Sequence, residues 1–210
     1  SEFGVTGGWY SRESNRKFND QIEAGVGHGG LKKSAFVDYK GLKETNFFEN
    51  LGGKYEVNDY TAAGAQVRFD YASYTDAPNI DLNTFKKAPE ADNSQGIARI
   101  SPFVFFHREG VMLRLGVNAD IAINAGTTFR IAPNVKLDYA FAPGVGLSID
   151  VNGGKTLNHL WQMKAENRYV NPGVRYGTTF VPLDAEVALN IGSFGGFSAK
   201  LFGGFASYKE

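Results

Sequence analysis

The stretch Val111-Met112-Leu113-Arg114-Leu115-Gly116-Val117-Asn118-Ala119-Asp120-Ile121-Ala122-Ile123-Asn124 decides the fold. Its odd positions are apolar throughout, and Arg114, Asn118, Asp120 and Asn124 fall on even ones. Successive side chains of a strand point to opposite faces, so this pattern writes one apolar face and one charged face. The same alternation recurs in Ala63–Tyr71, Val135–Phe141, Leu147–Val151 and Leu183–Ile191. It predicts an all-β protein. Whether the apolar face meets a protein core or a lipid bilayer is a separate question that the alternation alone leaves open.

Composition narrows the field. The chain has 210 residues, enough for one large β domain, with 22 basic and 22 acidic residues. Zero net charge speaks against a nucleic-acid binder, which needs a cationic surface. No cysteine is present, so disulfides, zinc–thiolate sites and thiol nucleophiles are excluded within these residues. The 26 glycines and the many Phe and Tyr residues suit a barrel or sandwich. No run approaches the ~20 apolar residues of a membrane-spanning helix, but barrel strands are short and only half apolar. No signal peptide is read in these residues.

The spacing predicts an antiparallel up-and-down meander of about ten strands, forming a β-barrel or part of a larger one. The strands are expected near Val5–Tyr10, Gln21–Gly27, Ser34–Lys40, Tyr55–Tyr74 (bent at Ala62–Gly64), Ile97–His107, Val111–Asn124, Phe129–Phe141, Gly146–Asn152, Thr179–Ile191 and Phe197–Tyr208. Turn residues separate them at Asn50–Gly53, Glu109-Gly110, Ala142–Gly144 and Gly192–Gly196. The whole of 1–210 reads as one barrel-like domain with long loops at 75–93 and 155–176. Within the second, Leu157, Leu160, Trp161 and Ala165 have helical spacing, compatible with a short helix or a packing turn.

In a ten-strand meander both long loops lie at one end and the tight turns at the other, the habit of outer-membrane barrels. Aromatics fall into two bands. Trp9, Tyr10, Phe47, Phe48, Phe103, Phe105, Phe106, Phe141, Phe194 and Phe197 are expected beside the short turns. Tyr71, Tyr74, Phe129, Tyr176, Phe180 and Tyr208 are expected at the other rim, as in interfacial girdles.

The charged face is expected to carry lumen pairs directly opposite one another: Arg99 with Asp120, Arg114 with Asp138, Lys136 with Asp150 and Glu186 with Lys200. A candidate ligand-facing loop gathers His159, Trp161, Lys164, Arg168 and Tyr169. Gly25-Val26-Gly27-His28-Gly29-Gly30 spells a dinucleotide fingerprint, but a strand rather than a helix is expected after it. His28, His107 and His159 lack metal-ligand spacing, and no hydrolase or zinc-protease motif is present. Neither catalysis, a cofactor nor a metal is therefore expected.

From Phe103 to Tyr208 the chain resembles the barrel of TonB-dependent-receptor-like proteins of Gram-negative outer membranes. The phrases are Leu113–Asp120, Phe129–Tyr139, Ala142–Gly144, Gly153–Lys155, Asn167–Pro172, Val181–Ala185 and Phe202–Tyr208. The resemblance implies an outer-membrane location and a transport or receptor role. It implies outer-membrane lipid as a partner and leaves room for an energy-coupling or surface protein. These residues hold no plug domain and no TonB-contacting segment, and they end without a terminal aromatic. The expectation is therefore a fragment or truncated barrel, and an excised piece with open strand edges would self-associate. The rival is a soluble β-barrel or sandwich that holds a small apolar ligand inside and turns its polar face outward.

Overall fold

The computed structural model describes residues 2–10, 17–30, 43–75, 94–124, 128–159, 177–194 and 197–209. They form ten antiparallel strands in a single sheet whose spatial order is the sequence order. These are β1 (Glu2–Tyr10), β2 (Phe18–Gly30), β3 (Lys43–Asn58), β4 (Thr61–Thr75) and β5 (Ser94–Arg108). There follow β6 (Val111–Ile123), β7 (Phe129–Ala142), β8 (Val145–Leu157), β9 (Thr178–Phe194) and β10 (Phe197–Lys209). The sheet is open: β1 and β10 are its edges. No described helix is long and apolar enough to cross a membrane.

The alternation sorts the two faces as written. One row of Cα partners runs Trp9, Ile22, Leu51, Val67, Ile100, Ala119 and Ile131 across seven strands. Shifted by one residue, the next row reads Gly8, Glu23, Asn50, Arg68, Arg99, Asp120 and Arg130. The sheet curls with the second face inside. On the convex face Val117 is 45% exposed and Ile121 42%, while Asp120, one residue before Ile121, is 0% exposed. That inverts the burial of a protein folded around an apolar core.

Short turns lie at one end. Glu109-Gly110 joins β5 to β6, with Gly110 at φ +75°. A Cβ there would lie 2.6 Å from the Ala140 carbonyl oxygen, so glycine satisfies both backbone and space. Asp59-Tyr60 joins β3 to β4, where the Tyr60 N–H donates to Asn58 Oδ1 at 2.9 Å. Pro143-Gly144 joins β7 to β8. The connections after β4 and β8 run at the opposite end, where β1 also begins and β10 ends.

The observed strands depart from the expected ones chiefly at β3 and β4. The segment expected as a turn, Asn50–Gly53, lies inside β3, and the long bent strand Tyr55–Tyr74 is two strands meeting at Asp59-Tyr60. The alternation of Phe47, Leu51, Tyr55 and Val57 runs through Gly52-Gly53, whose backbone stays paired with Gln21 and Asp20. The expected strand Ser34–Lys40 and the helical spacing after Leu160 lie outside the described residues. Phe47 and Phe48 consequently sit toward the long-connection end, where Phe47 packs against Phe69 and Phe69 against Tyr71. The short-turn rim of the convex face carries Trp9, Phe106 and Phe141, as expected, and also Tyr55 and Tyr139. Phe103 and Phe105 point to the concave side.

Beyond Asn152 the strand β8 has a register shift at Gly153, and Gly154 adopts φ +137°. This bulge bends β8 over the concave face. Gly154→Ala would put a methyl group onto the Arg99 guanidinium in a conformation L-residues avoid. The expected cost is roughly 1–3 kcal/mol, read as a lower urea midpoint for loss of the folded species. An unchanged midpoint would show that the bulge tolerates a side chain.

Candidate functional site

The concave face is closed at one end and open at the other. Its closed half is organised by Asp120, which the β5–β6 register sets opposite Arg99. Arg99 Nε donates to Asp120 Oδ1 at 2.6 Å and Nη2 donates to Oδ2 at 3.1 Å, a two-point pairing. Arg99 Nη2 also donates to the Lys155 carbonyl at 2.8 Å, and the Lys155 N–H donates to Asp120 Oδ2. One buried carboxylate and one guanidinium thus tie the end of β8 across β5 and β6. Lys155 Nζ donates onward to Thr178 Oγ1 at 3.2 Å.

Two residues along β6, Asn118 does the same with neutral groups. Its Nδ2 donates to Asn152 Oδ1 at 2.9 Å and to the Gly153 carbonyl at 2.7 Å. Its Oδ1 accepts from Ser101 Oγ at 2.7 Å and Asn134 Nδ2 at 3.0 Å. Both donors and both acceptor positions of the amide are used, which a buried Asn requires. Toward the long-connection end Ala72, Ile97 and Leu157 form a small apolar cluster with Tyr74 packed against it. Tyr74 Oη accepts from Gln95 Nε2 at 3.2 Å. Buried Glu44 accepts from Asn46 Nδ2 at 3.3 Å and lies 3.8 Å from His159 Nδ1.

The open half lies toward the short turns. A cavity of about 680 Å³ is lined there by Lys54, Glu56, Phe105, His107, Met112 and Asp138, among others. Lys54 and Glu56 form an ion pair at 2.6 Å, and Lys54 Nζ stands 5.7 Å from the Phe105 ring centre. Arg114 Cζ stands 4.1 Å from the Phe103 ring centre, and Arg114 Nη2 donates to Gln66 Oε1 at 2.8 Å. The site is a wall of largely paired charges and amides with an open mouth. Among the described residues no group of three or more His, Asp or Glu side chains gathers as a metal site would.

The expected pairs met different fates. Arg99 stands opposite Asp120 and Lys136 opposite Asp150, as expected. The second register survives because a bulge between Ala140 and Ala142 absorbs the extra residue of a two-residue turn. Arg114 stands opposite Lys136, not Asp138, which faces Met112. The cause is the β6–β7 connection, longer than the three residues expected: Asn124 turns out of the strand with φ +53°, and the Ala122 N–H already bonds the Thr128 carbonyl. Glu186 stands opposite Gly204, because β9 runs on to Phe194 before turning. Lys200 nonetheless reaches Glu186 Oε1 diagonally at 3.1 Å, with both side chains about half exposed.

Within strands, the structure prefers a pairing that the cross-strand reading missed. Arg68 pairs with Asp70 at 2.7 Å, Lys54 with Glu56, and Lys136 lies 3.8 Å from Asp138. A basic residue two positions before an acidic one puts both on the same face, a spacing visible in sequence. Of the candidate ligand loop only His159 is among the described residues; Trp161, Lys164, Arg168 and Tyr169 lie outside them.

Truncating one partner of a buried ion pair strands the other charge. Asp120→Ala should lower stability by about 3–5 kcal/mol, whereas Asp138→Ala, whose partner is solvated, should cost no more than ~1 kcal/mol. Urea titration of both variants checks the contrast. Equal, small losses would show that the Arg99–Asp120 pair does not hold the curl.

No protein-family model, curated protein or solved structure matches this chain.

Proposed function

We propose that this chain is an outer-membrane β-barrel of a Gram-negative bacterium, or a piece of one, with a non-enzymatic transport or receptor role. The direction of the alternation carries the reading. Val5, Leu51, Val67, Ile100, Leu115, Val117, Ile131 and Val187 stand on the convex face, each more than a third exposed. Glu44, Gln95, Ser101, Asn118, Asp120 and Lys155 are enclosed. In water such a surface would invite association, because contiguous apolar patches beyond a few hundred Å² mark contact sites. Against lipid tails it is the ordinary outer face of a barrel. A soluble β fold with its polar face outward would need the two sets of side chains exchanged.

Further support comes from the ends. The two-residue turns after β3, β5, β7 and β9 lie on one side, the longest connections, after β2, β4 and β8, lie on the other, and convex aromatics mark both rims. The polar concave face then supplies the contacts for a solute, with the mouth near Lys54, Glu56 and His107 as its place of entry. The resemblance of Phe103–Tyr208 to TonB-dependent-receptor-like barrels gives the same role.

Trp9 tests the reading directly. It is one of two tryptophans and is 54% exposed on the convex face, so Trp161→Phe leaves it as the sole reporter. In vesicles of brominated lipids its fluorescence should be strongly quenched relative to unbrominated lipid. A chain that stays folded and monodisperse without detergent, with Trp9 unquenched by such vesicles, refutes the membrane assignment.

A further inference from the structure

We infer that β1 and β10 of one chain pair with each other, antiparallel and even residue against even residue, closing a ten-stranded ring. The inference rests on the membrane reading and deepens it: the wall becomes a narrow, largely filled barrel rather than a strip of a wide pore.

Three observations carry it. The first is stagger. One row of Cα partners passes from Asn19 through Lys54, Gly64, Phe103, Gly116, Asn134, Asn152 and Asp184 to Ala206. It starts near the short-turn end of β2 and arrives near the long-connection end of β10. Closing a sheet into a barrel requires such a shear, because the strands must tilt against the axis.

The second is curvature. Arg99 on β5 bonds the Lys155 carbonyl on β8 at 2.8 Å, Arg114 on β6 bonds Gln66 on β4, and Tyr74 on β4 lies 3.5 Å from the Asn158 carbonyl beyond β8. Contacts across the concave face between strands this far apart fix a small radius. A small barrel of about 8 strands has an interior just wide enough for side chains to fill. Two copies sharing a ring of twice as many strands would open that radius and pull these contacts apart.

The third is complementarity of the edges. β1 and β10 run in opposite directions, so their pairing continues the meander. Gly8 faces Glu23 on the concave side, which places Gly4 and Thr6 there. Gly204 faces Glu186, which places Lys200 and Phe202 there. An odd offset would turn every lipid-side residue inward. The even register that sets Gly4 against Phe202 also sets Thr6 against Lys200 and, on the convex side, Val5 against Leu201. Phe202, 71% exposed in the open sheet, would then lie over a glycine. Lipid supplies no water to satisfy unpaired edge amides, so the bilayer itself drives closure.

The absence of cysteine makes the test clean. Thr6→Cys/Lys200→Cys and Val5→Cys/Leu201→Cys chains, folded in detergent micelles and mildly oxidised, should convert mostly to a fast-migrating monomer band without reductant. Thr6→Cys/Leu201→Cys, with its thiols on opposite faces, should cross-link several-fold less. Cross-linked dimers in place of monomers would assign the edges to a second copy and overturn the proposal. Hydrogen exchange on the unsubstituted chain covers variants that fail to fold: β1 and β10 amides should exchange as slowly as those of β5 and β6. Fast-exchanging edges with Trp9 still quenched by lipid would sink closure alone; an unquenched Trp9 in a soluble chain would sink the membrane reading instead.

Discussion

The structure depends on a carboxylate with nowhere else to go. Asp120 sits on a face that the curl removes from solvent, and its two oxygens are met by Arg99 and by the Lys155 backbone. A buried charge is tolerated only when it is paired and hydrogen-bonded. The three groups come from three strands, so satisfying the charge also sets the curvature. Gly153 and Gly154 make this possible, since side chains there would meet the backbone of β9 and the Arg99–Asp120 pair. Asn118 repeats the tie two residues along β6, and together the two stitch β8 to the floor of the concave face.

This arrangement distributes stability unusually. Among the described residues the buried apolar cluster is small, Ala72, Ile97 and Leu157, whereas large apolar side chains stand outside. Hydrophobic burial within the chain therefore contributes little of what it contributes to a water-soluble domain. The ladder hydrogen bonds and the concave polar network must carry the fold, and both strengthen where water is excluded. A lipid surround makes the convex side chains favourable and the network strong at once; bulk water makes the first a liability and weakens the second. The proposed location and the bonding pattern are thus two sides of one physical choice of solvent.

Sequence alone made much of this legible. Val111–Ile123 showed its two faces because period two survived thirteen residues without interruption. Glu109-Gly110 fixed its hairpin because a glycine with positive φ permits a tight turn there, and Arg99 opposite Asp120 followed by counting. Where counting failed, a backbone detail had changed the count: Asn124 left the strand early, and β9 ran through Gly192 to Phe194. Gly52-Gly53 looked like punctuation because glycine marks turns more often than strand interiors, yet here paired strands enclose it. Nothing local announced that Asn118 would meet Asn152, or Glu44 meet His159. Those contacts arise from curl, a property of the whole sheet.

The curl also bears on what the wall can do. Its long-connection half is occupied by side chains that use their own hydrogen-bonding capacity on one another, so a solute entering there must first exchange partners with Asn118, Asp120 or Lys155. The short-turn half is different: Lys54, Glu56 and Asp138 line open space and retain access to water. A solute could therefore bind at the mouth without disturbing the fold, but could pass the full length only if the ties of β8 to β5 and β6 were released. Those ties also fix the curvature of the sheet, so passage and stability are in direct competition. Under the proposed function, such a wall would favour capture at its short-turn mouth over free diffusion through its middle, a receptor role rather than a permanently open pore.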